Sequence, residues 1–177
     1  MDFRLENEIP MSARELWRIL HTPEFDAFTA REYELRAYEE LEKQVSDNLI
    51  HRRVRIITGT DLSYIPLGLA HKILGDNEII YEEIQDIYLN RYEMHWKNKW
   101  IEPSLFKDKI RVSGMLRLIP IDECRCKRIR EMSIRILIFG IGRILEGIAA
   151  EQAKKTSGKF SQVVDRWKSE NAKCGRS

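Results

Sequence analysis

Four histidines, three cysteines and several adjacent carboxylates are the groups with most chemical capacity in this 177-residue sequence. His21, His51, His71 and His95 lie 20 or more residues apart, so the sequence has neither an HExxH helix face nor an HxH metal pair. On a strand reading His95 faces solvent with Lys97. Cys124-x-Cys126 lacks a second pair or a nearby histidine, and so lacks four zinc ligands. The two are expected to be surface or edge thiols. Gly140-x-Gly142 lacks the third glycine of a dinucleotide loop, and no G-x-S-x-G elbow or phosphate-cradling glycine loop occurs. These spacings predict no metal, nucleotide or other cofactor.

Paired carboxylates can do acid–base work when they share a face. Glu39-Glu40 and Glu82-Glu83 are adjacent, and neighbours on a strand point to opposite faces, so neither pair acts together. Both pairs read as solvated. Glu146 differs, because it sits among apolar neighbours where a helix begins and where the dipole favours a carboxylate. Two roles are open to it: contact with Arg143 or Arg135, or a polar handle facing a cavity. No catalytic set emerges, which favours binding over catalysis.

The elements that would position these residues follow from hydrophobic period. Residues 2–9 alternate as a half-buried strand, Pro10 ends it, and Ser12-Ala-Arg-Glu15 forms a capping box for a helix over 13–20. Thr22-Pro23 opens a second short helix anchored by Phe25 and Phe28. Strands are expected near 33–45, 49–58, 79–89, 91–100, 109–119 and 126–138, with a loop carrying an apolar helical turn over 59–78. In 91–100, Tyr92, Met94, Trp96 and Trp100 face one way, and Arg91, Glu93, His95, Lys97 and Lys99 the other. That aromatic stripe is either core or the wall of a pocket. From Ile141 to Asn171, Ile141, Ile144, Leu145, Ile148, Ala149, Ala153, Phe160, Val163, Val164 and Trp167 recur at helical spacing. Some 30 residues give about 45 Å of helix, with Gly158 as a candidate kink. Leu145, Ile148, Ala149, Ala153 and Phe160 are expected to face the sheet. A single domain over 2–171 with a frayed tail at 172–177 accounts for the chain.

Composition bounds the class. Hydrophobic residues make up 43% and charged residues 33%, enough for a core and against disorder; three cysteines argue for a reducing compartment, hence a cytoplasmic location. The N-terminus lacks the pattern of a signal peptide. The apolar run 134–150 contains Arg135, Arg143 and Glu146, so it reads as a strand entering a helix, not a membrane span. A net charge of +2 does not suggest nucleic-acid binding. Residues 1–95 carry 11 basic and 19 acidic residues, whereas 96–177 carry 19 and 9. Complementary strands paired within one sheet would explain this split, and so would a basic face that approaches an anionic membrane.

The order strand, two short helices, about six antiparallel strands and a long C-terminal helix resembles the SRPBCC (START-like) superfamily. The opening Ile9-Pro10, Ser12-Ala-x-Glu15-Leu-Trp17 and Thr22-Pro23-Glu-Phe25 resembles polyketide-cyclase-like members. Ile65-Pro66 followed by Ile73-Leu-Gly75, and Gly140-x-Gly142-x-x-x-Glu146, resemble a bacterial domain-of-unknown-function branch, and the whole order resembles PRELI-type phospholipid-transfer domains more faintly. The resemblance implies an α+β helix-grip fold: a curved antiparallel sheet of about six or seven strands, two short N-terminal helices and one long C-terminal helix. It implies a cavity between sheet and helix for a hydrophobic small molecule or lipid. The lining residues would be Tyr92, Met94, Trp96, Ile110, Val112, Leu116, Ile134, Ile136, Leu145, Ile148, Ala149 and Phe160. Binding of that ligand, with or without its carriage, is the first reading. A cyclase, aromatase or hydrolase using the same cavity, and an interaction module with a filled core, are the alternatives.

Overall fold

The computed structural model describes residues 1–58, 78–102, 104 and 107–171. The loop expected over 59–78 lies outside these except for Glu78, as does the tail 172–177. Strand β1 (Asp2–Ile9) alternates exposed and half-buried positions up to the buried Ile9. Helix α1 (Ala13–Ile19) is capped by Ser12, whose Oγ accepts from the Glu15 N–H at 3.2 Å. Helix α2 (Pro23–Glu32) is capped the same way by Thr22, with Pro23 in its first turn.

Six strands follow: β2 (Ala37–Val45), β3 (Leu49–Thr58), β4 (Ile79–Tyr88), β5 (Glu93–Glu102), β6 (Ile110–Pro120) and β7 (Cys126–Ile136). They join β1 in one antiparallel sheet of order β1-β7-β6-β5-β4-β3-β2. Helix α3 (Gly142–Asn171) runs unbroken through Gly158 and packs on β1 and β7. Among the described residues no helix is long and apolar enough to cross a membrane.

Two strands start later than their hydrophobic pattern suggests, for local reasons. Residues 33–36 close off α2, with the Tyr33 N–H on the Thr29 carbonyl and Glu34 at a φ of 55°, so β2 begins at Ala37. The chain turns at residues 89–92, and Tyr92 has a φ of 52°, so β5 begins at Glu93. Tyr92 still reaches the core, through the turn and not by strand alternation. Its ring meets Trp17 edge-on at 6.1 Å.

Helix α3 is fastened by three kinds of contact. Ser157 Oγ donates to Asn7 Oδ1 at 2.6 Å and Tyr33 OH donates to the Thr156 carbonyl at 3.3 Å. The Arg128 guanidinium lies 4.1 Å from the Phe160 ring centroid. Phe25, Phe28, Phe160 and Trp167 form an aromatic cluster between α2 and α3. The buried face of α3 includes Leu145, Ala150, Ser157, Phe160, Val163 and Val164. Ile148, Ala149 and Ala153 are half-buried, whereas Ile144 is exposed despite its place in the apolar period.

Candidate functional site

Asn7 and Arg128 identify the helix-facing side of the sheet, and strand register then assigns every other side chain to a face. Moving from β7 across to β2, that side carries Met132, Gly114, Trp96, Gln85, Arg52 and Lys43 in one row. The next rows carry Asn98, Glu83, Val54 and Glu40, then Trp100, Tyr81, Ile56 and Tyr38. A surface expected to be apolar is therefore polar on β3, β4 and β5.

These polar groups are connected. The Arg52 side chain is 1% exposed and donates to both Asp26 oxygens, at 2.8 and 3.2 Å, and to Tyr38 OH at 2.7 Å. Its Nε donates to Gln85 Oε1 at 2.9 Å, and Gln85 Nε2 donates to Glu83 Oε1 at 2.6 Å. A hydrogen-bonded line thus runs from α2 to Glu83. Beside Glu83, Asn98 Oδ1 and Trp100 Nε1–H are buried without a partner among the described residues. Arg130 lies with its guanidinium 5.6 Å from the Trp96 ring centroid and forms no hydrogen bond or ion pair among the described residues.

Burial sets the electrostatics. It raises the Glu83 pKa above the ordinary carboxylate range, against the Gln85 hydrogen bond and Arg130, which lower it. Burial raises Tyr81 and lowers Arg130, whose charge Glu83 supports. Asp26 is also raised by burial, with the Arg52 bond opposing. The cluster thus offers a carboxyl group biased toward its protonated form, a guanidinium, an indole N–H and an amide oxygen. Such a set can hold a polar group of a small molecule. Among the described residues no three of His, Cys, Asp and Glu converge as metal ligands.

The residues expected to line a cavity fall into two groups. Met94, Leu116 and Phe160, with Tyr92, pack into the core under α1 and α2. Ile110, Val112, Ile134 and Ile136 lie on the helix-facing side at the opposite end of the sheet, where α3 brings Leu145, Ile148 and Ala149. Trp96 stands between the groups, 6% exposed, its ring crossing Gly114. A Cβ on Gly114 would come within 2.7 Å of that indole and 2.4 Å of the Glu131 carbonyl oxygen. Glu146 accepts from the Ile136 N–H at 2.9 Å and from the Met1 amine at 3.2 Å, and the Ile136 bond holds its pKa down.

Two sequence expectations need correcting. Neither Glu82 nor Glu83 is solvated: Glu83 lies on the helix-facing side of the sheet, and Glu82, on the opposite side, is 5% exposed and meets Arg53 and Arg55 at 3.5 and 3.1 Å. The alternation Tyr81-x-Glu83-x-Gln85 was the available signal, but polar residues on a strand ordinarily mark its wet face. Cys126 is fully buried in the core, whereas Cys124 is exposed. Of the two explanations for the charge split, pairing within one sheet is the one the register supports, since β1 lies beside β7 and joins Asp2 to Arg135, Glu6 to Lys127 and Glu8 to Arg125.

On the other side of the sheet a shallow groove of about 780 Å³ is bordered by Asp86, His95, Lys97, Ser113, Met115 and Glu131. His95 there contacts Glu93 at 2.8 Å. This groove mixes both charge signs.

No protein-family model matches the sequence, and no curated protein does. Solved structures do match. TTHA0849 from Thermus thermophilus is similar at a TM-score of 0.64 and 12% identity, over 93% of this chain and 97% of that one. The Zhui aromatase/cyclase from a Streptomyces species is similar at 0.59 and 12%, over 93% and 90%. A START superfamily protein from Mycobacterium smegmatis is similar at 0.58 and 10%, over 94% and 98%. At these identities the likeness concerns the fold, and together with the seven-stranded sheet and long closing helix it establishes that the chain has the START-like helix-grip fold.

Proposed function

We propose that this protein binds, and carries, a small molecule with an apolar body and a polar end, held between the sheet and α3. The observation that carries the reading is the environment of Glu83, Tyr81 and Arg130. All three lie deep enough for burial to shift their pKa, yet all keep accessible surface, as side chains bordering an interior space do. Ile110, Val112, Ile134, Ile136, Leu145, Ile148 and Ala149 supply the apolar wall at the end of the sheet nearest the start of α3. Asn98 Oδ1, Trp100 Nε1–H and Arg130 supply an acceptor and two donors for the polar end. A buried polar group without a partner costs about 1–3 kcal/mol, so a ligand that satisfies them gains affinity from the same source.

The fluorescent probe 1-anilinonaphthalene-8-sulfonate tests this reading, because it joins an apolar ring system to an anion. Saturable binding to the intact protein, weakened roughly tenfold in Arg130→Leu, is expected. Absence of saturable binding by the folded wild type would favour a filled core.

A second reading has its own observation. A carboxyl group held toward its protonated form beside Tyr81 is suited to general acid catalysis, as in a cyclase- or hydrolase-type enzyme. Under that reading Glu83→Gln abolishes turnover while leaving probe binding intact.

A further inference from the structure

Among the described residues, the most exposed large apolar side chain is Phe139, in the turn between β7 and α3. It is fully exposed, and Leu137 and Ile144 on either side of it are each more than half exposed. Gly140 turns the chain here at a φ of 79°. The Leu137 N–H donates to the Lys109 carbonyl at 2.8 Å, so the turn lies against the segment that leads into β6. Three exposed apolar side chains within eight residues of one turn are not a packing feature, since nothing described packs on Phe139.

Charge singles out the same end. The other cations on the outer face of β7 and its flank are partnered: Arg135 with Asp2, Lys127 with Glu6, Arg125 with Glu8 and Asp122. By contrast Lys109, Arg111 and Arg143 are exposed and form no ion pair among the described residues. Helix stability does not explain Arg143, because a cation in the first turn opposes the helix dipole. Apolar side chains projecting from a turn, ringed by unpaired cations, match the two attractions of a peripheral membrane anchor.

We propose that this end of the molecule docks on an anionic phospholipid surface. Leu137, Phe139 and Ile144 enter the boundary between headgroups and acyl chains, and Lys109, Arg111 and Arg143 lie at the phosphates. Projecting side chains suit a fluid surface, and cations with no fixed partner geometry suit its diffuse charge. The inference goes beyond interior binding, because docking requires no occupied cavity. It also fits carriage, since the same end holds Leu145 and Ile148 over Ile134 and Ile136.

The test is co-sedimentation with phosphatidylcholine vesicles, with and without phosphatidylglycerol, joined to fluorescence of Phe139→Trp against a Trp-retaining wild-type control. Expected are binding to the anionic vesicles alone, a loss of roughly tenfold or more in Lys109→Glu/Arg111→Glu, and fading as salt rises from about 0.05 to about 0.5 M. Phe139→Trp should add emission that shifts to the blue on those vesicles, and Phe139→Ser should lose binding while keeping its unfolding temperature. Equal binding to both vesicle types, no binding, or an added tryptophan that stays in water would overturn the proposal. So would a wild-type dimer in sedimentation velocity that Phe139→Ser dissociates, because a second copy would then cover the patch. Probe binding in the interior is measured without vesicles, so the two readings fail separately.

Discussion

Glu82 and Glu83 are adjacent, yet Glu82 is held by two arginines on one face of β4 while Glu83 lies on the other, the side of the sheet that α3 packs against. Strand alternation made their divergence legible in the sequence. That both would be covered was not, because β4 carries polar residues on each face. For Glu83 the sign of the pH effect is fixed by its raised pKa: the unfolded chain loses its proton first, so wild-type stability falls as pH climbs above about 4.5. Glu83→Gln should therefore gain stability relative to wild type as pH increases, read by urea unfolding at several pH values. A difference independent of pH would place Glu83 in water. His21 gives the opposite slope. Burial pushes its pKa down to about 3, with Arg52 and Lys43 adding to the effect. Its contribution is present above pH 6.5 and is lost as pH falls toward 3. His21→Phe, which keeps a ring against Trp17, should lessen that acid sensitivity in the same unfolding series.

At the scale of elements, capping residues and alternation were the reliable signals. Ser12 and Thr22 cap the helices that their spacing predicts, and each strand was legible to within a few residues. The misplaced starts of β2 and β5 reflect left-handed residues, Glu34 and Tyr92, which carry no glycine to announce them. Gly114 was equally silent, since the Trp96 ring and the Glu131 carbonyl that explain it come from neighbouring strands. Gly114→Ala should destabilise by about 1–3 kcal/mol through overpacking, measured by chemical unfolding. An unchanged midpoint would mean that Trp96 does not cross β6 at that point. Phe160→Ala should cost about 3–5 kcal/mol, because Phe160 joins the aromatic cluster of α2 to Arg128 under α3. A loss below about 1 kcal/mol would show that α3 is held elsewhere.

At the scale of the whole molecule, the helix grip was indicated by the resemblance of the element order to the START-like superfamily, and the observed order matches it. The interior was less legible. Its apolar end follows from the periods of β6, β7 and α3, but the line from Asp26 through Arg52 and Gln85 to Glu83 joins residues from α2, β3 and β4 that only the register brings together. The charge split between the halves is likewise resolved by topology, since β1 returns to lie beside β7. Native mass spectrometry of the protein as purified from its own host tests the central claim most directly. The account predicts a co-purifying small molecule that leaves when the protein is denatured and is depleted in Arg130→Leu. Bare protein mass alone, in both proteins and under gentle ionisation, would contradict it.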